Sequence, residues 1–201
     1  MMWDQRYSEE GFAYGTEAND FLKAEFTRIP KGGRVLCLAE GEGRNAVFLA
    51  QQGYTVTGVD QSSVGLDKAK NLAVENGVEI TTIVSDLADY DFGSEAWDGI
   101  VSIWAHTPTE LRKKIHRQVV RALKKGGIFI LESYTPRHIE MDGIGGPPPS
   151  SMEMFMSLDA LKTELEGLDF VIATETERNV SEGKYHQGES AVVQLVASKS
   201  V

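Results

Sequence analysis

The sequence predicts a domain of the α/β class, with a mostly parallel sheet that carries helices on both faces. Between residues 34 and 133, short apolar runs alternate with segments whose apolar residues recur at the helical period. Glycines follow several of these helical segments, where a helix commonly ends. Two apolar runs near the end of the chain are joined only by a loop. Such a short connection predicts that this last pair of strands is antiparallel.

Residues 1–30 predict a polar cap segment followed by the first helix. Asn19 or Asp20 can cap a helix that runs to Arg28, and Pro30 ends it. The aromatic residues before this helix fit ordinary core packing.

The alternating elements follow in order. Strands are predicted at 34–38, 55–59, 79–84, 99–104 and 128–133, and helices at 46–52, 64–76 and 110–123. Gly53 and Gly77 end the first two of these helices, and a Lys-Lys-Gly-Gly turn ends the third. Parallel strands need such helical crossovers.

The C-terminal part departs from this alternation. The segment 139–156 begins with a run rich in glycine and proline, which predicts irregular backbone and either a lid or a plain surface connection. Ser157 is the predicted cap of a helix to residue 165. Strands at 170–179 and 191–198 then form the antiparallel pair.

Composition limits the classes of partner. The 201 residues, 41% hydrophobic, suit one domain spanning residues 1–201, and the net charge of −10 opposes binding to nucleic acid or an anionic membrane. One cysteine, Cys37, excludes an internal disulfide and a thiol-based metal cluster, so we expect no metal. Neither a signal peptide nor a membrane span is recognisable. We expect a cytoplasmic monomer or homodimer that acts on a small molecule.

The loop after the first strand has glycine spacing typical of nucleotide binding. Gly41-x-Gly43-x-x-Ala46 matches the dinucleotide fingerprint. Glu40 and Glu42, however, would repel a pyrophosphate at the helix N-terminus. S-adenosylmethionine has no phosphate and carries a sulfonium and an ammonium cation, so an acidic loop favours it.

Further acids follow the next two strands. Asp60 can accept hydrogen bonds from both ribose hydroxyls, while Asp86 can accept one from the adenine amino group and Leu87 can pack against the ring. Because parallel strands end at a common edge, these side chains are expected to form one line there.

Five stretches together resemble the class I S-adenosylmethionine-dependent methyltransferases, and in particular the small bacterial tellurite-resistance type. These stretches are Gly-Glu-Gly-Arg-Asn-Ala at 41–46, Val-Thr-Gly-Val-Asp-Gln-Ser-Ser at 56–63, Ser-Asp-Leu at 85–87, Trp-Asp-Gly-Ile-Val-Ser-Ile-Trp at 97–104 and Leu-Lys-Lys-Gly-Gly-Ile-Phe-Ile-Leu at 123–131. The resemblance implies a Rossmann-like, doubly wound, seven-stranded sheet whose last strand is inserted antiparallel. It also implies that the N-terminal aromatic residues form a cap over the cofactor, with core packing as the alternative. Cys37 and Ala39 depart from the aspartate and glycine that many members carry there, so Glu40 is expected to contact the cofactor's ammonium.

The predicted site residues fall into three sets. Those for the cofactor are Glu40, Gly41, Gly43, Arg44, Asn45, Asp60, Gln61, Ser62, Asp86, Leu87, Ser102, Trp104, Arg6 and Tyr14. Those for the substrate pocket are Trp3, Tyr134, Tyr185 and His186. His106 is the candidate catalytic base, although a loop histidine bonded to backbone is the alternative.

The expected reaction is an in-line displacement that moves the methyl group of S-adenosylmethionine to a thiol, a chalcogen species or a small metabolite, leaving S-adenosylhomocysteine. Such a reaction mainly requires alignment of the reactants and exclusion of water. Two alternatives stay open. One is an NAD-dependent oxidoreductase on a similar sheet, and the other is a protein that binds the cofactor without catalysis.

Overall fold

The computed structural model describes residues 2–201, and those residues form one seven-stranded sheet surrounded by helices. The strands are β1 (Arg34–Leu38), β2 (Thr55–Asp60), β3 (Thr81–Val84), β4 (Trp97–Ile103), β5 (Leu123–Tyr134), β6 (Asp169–Glu182) and β7 (His186–Ser198). The α-helices are α1 (Met2–Tyr7), α2 (Asp20–Glu25), α3 (Arg44–Gln51), α4 (Ser63–Glu75), α5 (Thr109–Ala122) and α6 (Leu158–Glu164).

The strand order is β3-β2-β1-β4-β5-β7-β6. Strands β1 to β5 pair in parallel, whereas β7 pairs antiparallel with both β5 and β6. The predicted fold is therefore confirmed. The register pairs Leu38 of β1 with Val59 of β2 and with Ser102 of β4, so these strands end at one edge of the sheet.

Two apolar layers hold the helices against the sheet. One face buries residues such as Leu36, Leu131 and Leu195 against α5 and α6, and the other buries Val35 and Ile130 against α2 and α3. Cys37 lies in the second layer as a small core residue and is fully buried. Among residues 2–201, no helix combines the length and the apolar character that crossing a bilayer requires.

The segment after β5 is more regular than predicted. Short 3₁₀ helices occupy Pro136–Glu140 and Pro149–Met154, and Ile144 forms an antiparallel bridge with Gln187. The expectation of wholly irregular backbone was wrong, because proline in a first turn fixes a helical φ angle and needs no donor there. Helix α1 was also not predicted. Asn19 caps α2 and Ser157 caps α6 through their side chains, as expected.

Candidate functional site

The loop between β1 and α3 requires glycine at a position where the chain approaches another helix. Gly43 is the N-cap of α3 with a φ of 91°, and a Cβ added there would lie 2.5 Å from the Cβ of Ala69 in α4. Ala39, which departs from the family's glycine, also has a positive φ of 49°. A non-glycine residue rarely adopts that conformation, so the backbone is strained beside the loop.

Glu40 turns its carboxylate back onto the start of α3. Its Oε1 accepts the backbone N–H of Ala46 at 2.8 Å, and the side chain is buried. Burial raises the pKa of Glu40 to about 7, although the Ala46 N–H and Arg44 oppose the rise. The Glu40 carboxylate thus accepts a hydrogen bond from a first-turn N–H group that could otherwise bind an anionic ligand.

Asp60, the last residue of β2, ties the loop to its neighbouring strand. Its Oδ2 accepts the N–H of Gly41 at 2.9 Å, and its Oδ1 accepts the N–H of Ser62 at 2.8 Å. Burial raises the pKa of Asp60, while these two N–H groups work against that rise. Each carboxylate oxygen has a second lone pair and can accept another hydrogen bond.

The remaining predicted residues on this side lie at the ends of the neighbouring strands. Asp86 is exposed just beyond β3 and accepts the N–H of Ala88 at 2.8 Å, while Leu87 packs into the core. Gln61 is half-buried, and Ser62 caps α4. Ser102 is buried within β4. The edge of the sheet thus presents acids beyond three neighbouring strands.

Arg44 is held by a buried ionic network that the sequence did not predict. Its Nη2 lies 2.5 Å from Oε2 of Glu182, an oxygen that also accepts the indole N–H of Trp104 at 2.7 Å. Burial would raise the pKa of Glu182, but Arg44, Trp104 and Arg178 together hold it below its ordinary value. Arg178 further bridges Glu182 to Glu132 of β5. In the sequence, the signal for this network was Glu132, an acid inside the apolar run that forms β5.

Asn19 joins this network to the cap of α2. Its amide nitrogen donates to Glu132 at 2.6 Å and to Glu182 at 2.9 Å, and its backbone N–H donates to the side chain of Asn45 at 3.0 Å. Asn45 therefore positions the start of α2.

The N-terminal segment brings aromatic residues and one arginine over the loop. Arg6 donates to the hydroxyl of Tyr14 at 2.9 Å and lies over the rings of Trp3 and Tyr185, at 5.4 and 4.5 Å from their centroids. The hydroxyl of Tyr185 is bonded to Glu9 at the surface. The segment thus forms a cap across the ends of α3 and β6.

Tyr7 and Glu42 fix this cap to the loop. Neither is in the three predicted sets of site residues, although Glu42 is one of the two acids of the glycine loop. A Cβ added at Gly41 would lie 2.6 Å from the Tyr7 hydroxyl oxygen, so the ring packs directly on the loop. Glu42 accepts the N–H of Ala13 at 2.7 Å and pairs with Lys68 at 2.9 Å. The helical spacing of Trp3 and Tyr7 was the available signal for the tyrosine.

His106 has protein partners at both ring nitrogens. Its Nε2 accepts the backbone N–H of Tyr134 at 3.3 Å and lies 3.0 Å from the hydroxyl of Ser133. Because Nε2 is an acceptor, Nδ1 carries the hydrogen and donates to the carbonyl of Trp104 at 3.1 Å. Burial lowers the pKa of His106 to about 4. The geometry is that of a neutral histidine joining the ends of β4 and β5.

Rings gather around Tyr134 at the end of β5. We name Trp104, His106, Tyr134, His138 and His186 the Tyr134 cluster. Tyr134 stacks with Trp104 and with His138, with centroids 4.4 and 4.0 Å away, and meets His186 edge-on at 5.4 Å. Tyr14 of the cap packs on His186 at 4.6 Å. The cap, the sheet edge and the segment after β5 therefore meet at this cluster.

Comparisons with known proteins agree with this architecture. The methyltransferase domain family matches residues 35–127. An uncharacterized methyltransferase of Synechocystis sp. is 32% identical over 93% of this chain and 86% of its own length. Another, from Bacillus subtilis, is 35% identical over 57% of this chain, but the match spans only 45% of that relative.

A solved structure has the same fold. TehB from Haemophilus influenzae superposes with a TM-score of 0.71 at 19% identity, covering 98% of this chain and 65% of that one. The family is indicated by the near full-length methyltransferase relative, by the strand order of the sheet and by the acidic glycine loop. The chain therefore belongs to the methyltransferases, and its sheet has the fold of the class I S-adenosylmethionine-dependent members.

Proposed function

We propose that this chain transfers the methyl group of S-adenosylmethionine to a small-molecule acceptor. The observation that carries the proposal is the buried carboxylate of Glu40 on the first-turn N–H of Ala46. A dinucleotide's pyrophosphate would meet this carboxylate, and the N–H of Gly41 is likewise taken by Asp60. A cofactor with an ammonium and a sulfonium instead gains from both acids. This supports S-adenosylmethionine over NAD.

The residues at the sheet edge fit the parts of the cofactor. In this assignment Glu40 binds the ammonium, Asp60 the ribose hydroxyls, and Asp86 with Leu87 the adenine. Arg6 binds the carboxylate, because Arg44 is already paired with Glu182. When bound, the cofactor supplies a methyl group activated by its sulfonium charge.

The chain's own contribution is alignment of the reactants and exclusion of water. In this proposal His106 is a positioning residue, because its ring nitrogens hold the backbone of Trp104 and Tyr134 together. Trp104 has a strained backbone φ of 58°, and the hydrogen bond from His106 to its carbonyl helps to hold that conformation. Loss of His106 would thus disturb the shape of the acceptor side and would not remove a base.

Calorimetry with S-adenosylhomocysteine and with NAD tests the cofactor assignment. We expect S-adenosylhomocysteine to bind at micromolar concentration or below and NAD to give no heat of binding. Asp60→Asn is the site variant, and Asp91→Asn is its control on an exposed loop. Binding of NAD alone would refute the proposal.

Incubation with methyl-labelled cofactor tests the acceptor class. A cell extract is separated by size into small molecules and macromolecules, and each fraction is treated with the protein. We expect label in methylated small molecules, detected by mass spectrometry, and about 10-fold less label with Asp60→Asn when the cofactor is supplied below its Kd. Label found only in protein or nucleic acid would contradict a small-molecule acceptor, and cofactor binding without any transfer would favour the non-catalytic alternative.

A further inference from the structure

We propose that Tyr134 and His186 form the acceptor-binding site, and that it takes a small neutral molecule through a hydroxyl or thiol group. This inference rests on the proposed methyl transfer. The hydroxyl of Tyr134 donates to the acceptor's oxygen or sulfur, and Nδ1 of His186 accepts the hydrogen of the same O–H or S–H group.

Unpartnered polar atoms in the Tyr134 cluster point to a ligand. Among the residues that the structure describes, Nδ1 of His186 is buried with no hydrogen-bond partner. Oη of Tyr134 and Nδ1 of His138 are also buried without a partner in hydrogen-bond geometry, although Ser190 lies near Tyr134 and the backbone of Gly145 near His138. A buried polar atom without a partner is unfavourable, and buried polar groups are rarely left this way. Three of them around one set of stacked rings indicate a place where a polar ligand supplies the partners.

The two groups of the proposed site are complementary to an O–H or S–H group. Burial, with Glu182 and Glu132 nearby, raises the pKa of Tyr134, so its hydroxyl remains a donor. Burial, reinforced by Arg44, lowers the pKa of His186, so the imidazole is neutral at pH 7. With its hydrogen on Nε2, its Nδ1 is an acceptor.

The charges around the cluster disfavour an anionic acceptor. Arg44 and Arg178 are paired with Glu182 and Glu132, and their charges are already balanced. Arg6 donates to Tyr14 and lies over aromatic rings at the cap, where the cofactor's carboxylate is assigned. A buried anion needs an unpaired cation, so an oxyanion such as selenite binds poorly here. A neutral acceptor has no such requirement.

The segment 143–146 covers this site. A Cβ added at Gly145 would overlap the hydroxyl oxygen of Tyr134, so the backbone lies directly on that group. Ile144 donates to the carbonyl of Gln187 at 2.6 Å and accepts from its N–H at 2.9 Å, next to His186. Opening these two hydrogen bonds exposes Tyr134, which gives a small acceptor a path to the site.

Titration calorimetry with phenol, benzyl mercaptan and sodium selenite, each with and without S-adenosylhomocysteine, tests the proposal. We expect phenol or benzyl mercaptan, which are neutral at pH 7, to bind the wild type and selenite to bind at least 10-fold more weakly. Tyr134→Phe and His186→Gln should each weaken that binding by about 3- to 10-fold, as expected for one hydrogen bond. Tyr54→Phe is the control, since its buried hydroxyl bonds to backbone carbonyls at the opposite edge of the sheet.

Histidine-selective NMR supplies a second readout that does not depend on turnover. We expect phenol to shift the imidazole signals of His186 more than those of His116, which is bonded to Glu164 on α6. Unchanged phenol affinity in both variants, or selenite binding as tight as phenol, would overturn the proposal. S-adenosylhomocysteine binding by the variants reports that they are folded, and its absence from the wild type would instead refute the proposed function.

Discussion

Replacement of Glu40 by Gln should change the pH dependence of both stability and cofactor binding. The carboxylate is buried, and its pKa is raised from 4.5 to about 7. Gln keeps an oxygen that can accept the N–H of Ala46 but stays neutral at every pH. The variant therefore separates the charge of Glu40 from its hydrogen bond.

The effect on stability follows from proton linkage. Between pH 5.5 and 8 the unfolded chain has Glu40 ionised throughout, whereas the folded protein loses a proton near pH 7. The folded state binds more protons in this window, so stability falls as the pH rises. With these pKa values the loss is about 2 kcal/mol, or ~4–8 °C in melting temperature for a chain of this size. Glu40→Gln should lack this part of the decline.

The effect on cofactor affinity has the opposite sign. The ionised form of Glu40 attracts the ammonium of S-adenosylhomocysteine, which remains charged below about pH 7.5. Binding below pH 7 then releases a proton, and the Kd should fall about 10-fold between pH 5.5 and 6.5. In Glu40→Gln this dependence should be absent and affinity at pH 7.5 weaker by about 10-fold.

Thermal unfolding and calorimetry across pH 5.5–7.5 provide the measurements, with unfolding extended to pH 8. Glu42→Gln is the matched control, because this acid lies on the same loop but is paired with Lys68. The control should keep the pH dependence of binding. If Glu40→Gln shows the wild-type pH dependence in both measurements, the assignment of the raised pKa and of the ammonium contact is wrong.

Further changes test other parts of the site. Asp60→Asn should weaken S-adenosylhomocysteine binding by about 10-fold or more, since it removes a charge and one acceptor; wild-type affinity in a folded variant would exclude the ribose contact. His106→Ala should lower the free energy of unfolding in urea by about 1–3 kcal/mol, while the cofactor Kd changes less than about 3-fold. Unchanged stability would argue against a positioning role. Arg178→Met should lower the free energy of unfolding by about 3–5 kcal/mol, because Glu132 is left buried without its cation. Adding Glu132→Gln should restore part of that loss, and the absence of any rescue would contradict a stabilising role for the pair. Amide exchange at Ile144 should slow further when cofactor and acceptor bind; equal rates at saturation would contradict a lid.

The alternation of elements made the fold predictable from the sequence. Short apolar strands, helical periods and terminal glycines are local features, and they specify a parallel sheet through the need for crossover helices. The same locality explains why Asp60 could be placed, because it ends an apolar strand directly after the glycine-loop helix. The segment 139–156 is the exception, because Pro149 stands in the first turn of a short helix, and a glycine- and proline-rich pattern does not distinguish that turn from irregular backbone.

The charges on the acceptor side depended on the tertiary structure. The sequence places Arg44 among the cofactor residues but does not reveal its partner Glu182, which lies far along the chain on β6. No local pattern relates these residues, since the contact exists only after β6 and β7 join the sheet. The raised pKa of Glu40 and the unpartnered atoms of Tyr134 and His186 likewise arise from burial by distant segments. The sequence determined which groups stand at the sheet edge, and packing decided their charge and their partners, because desolvation and ion pairing depend on neighbours in space.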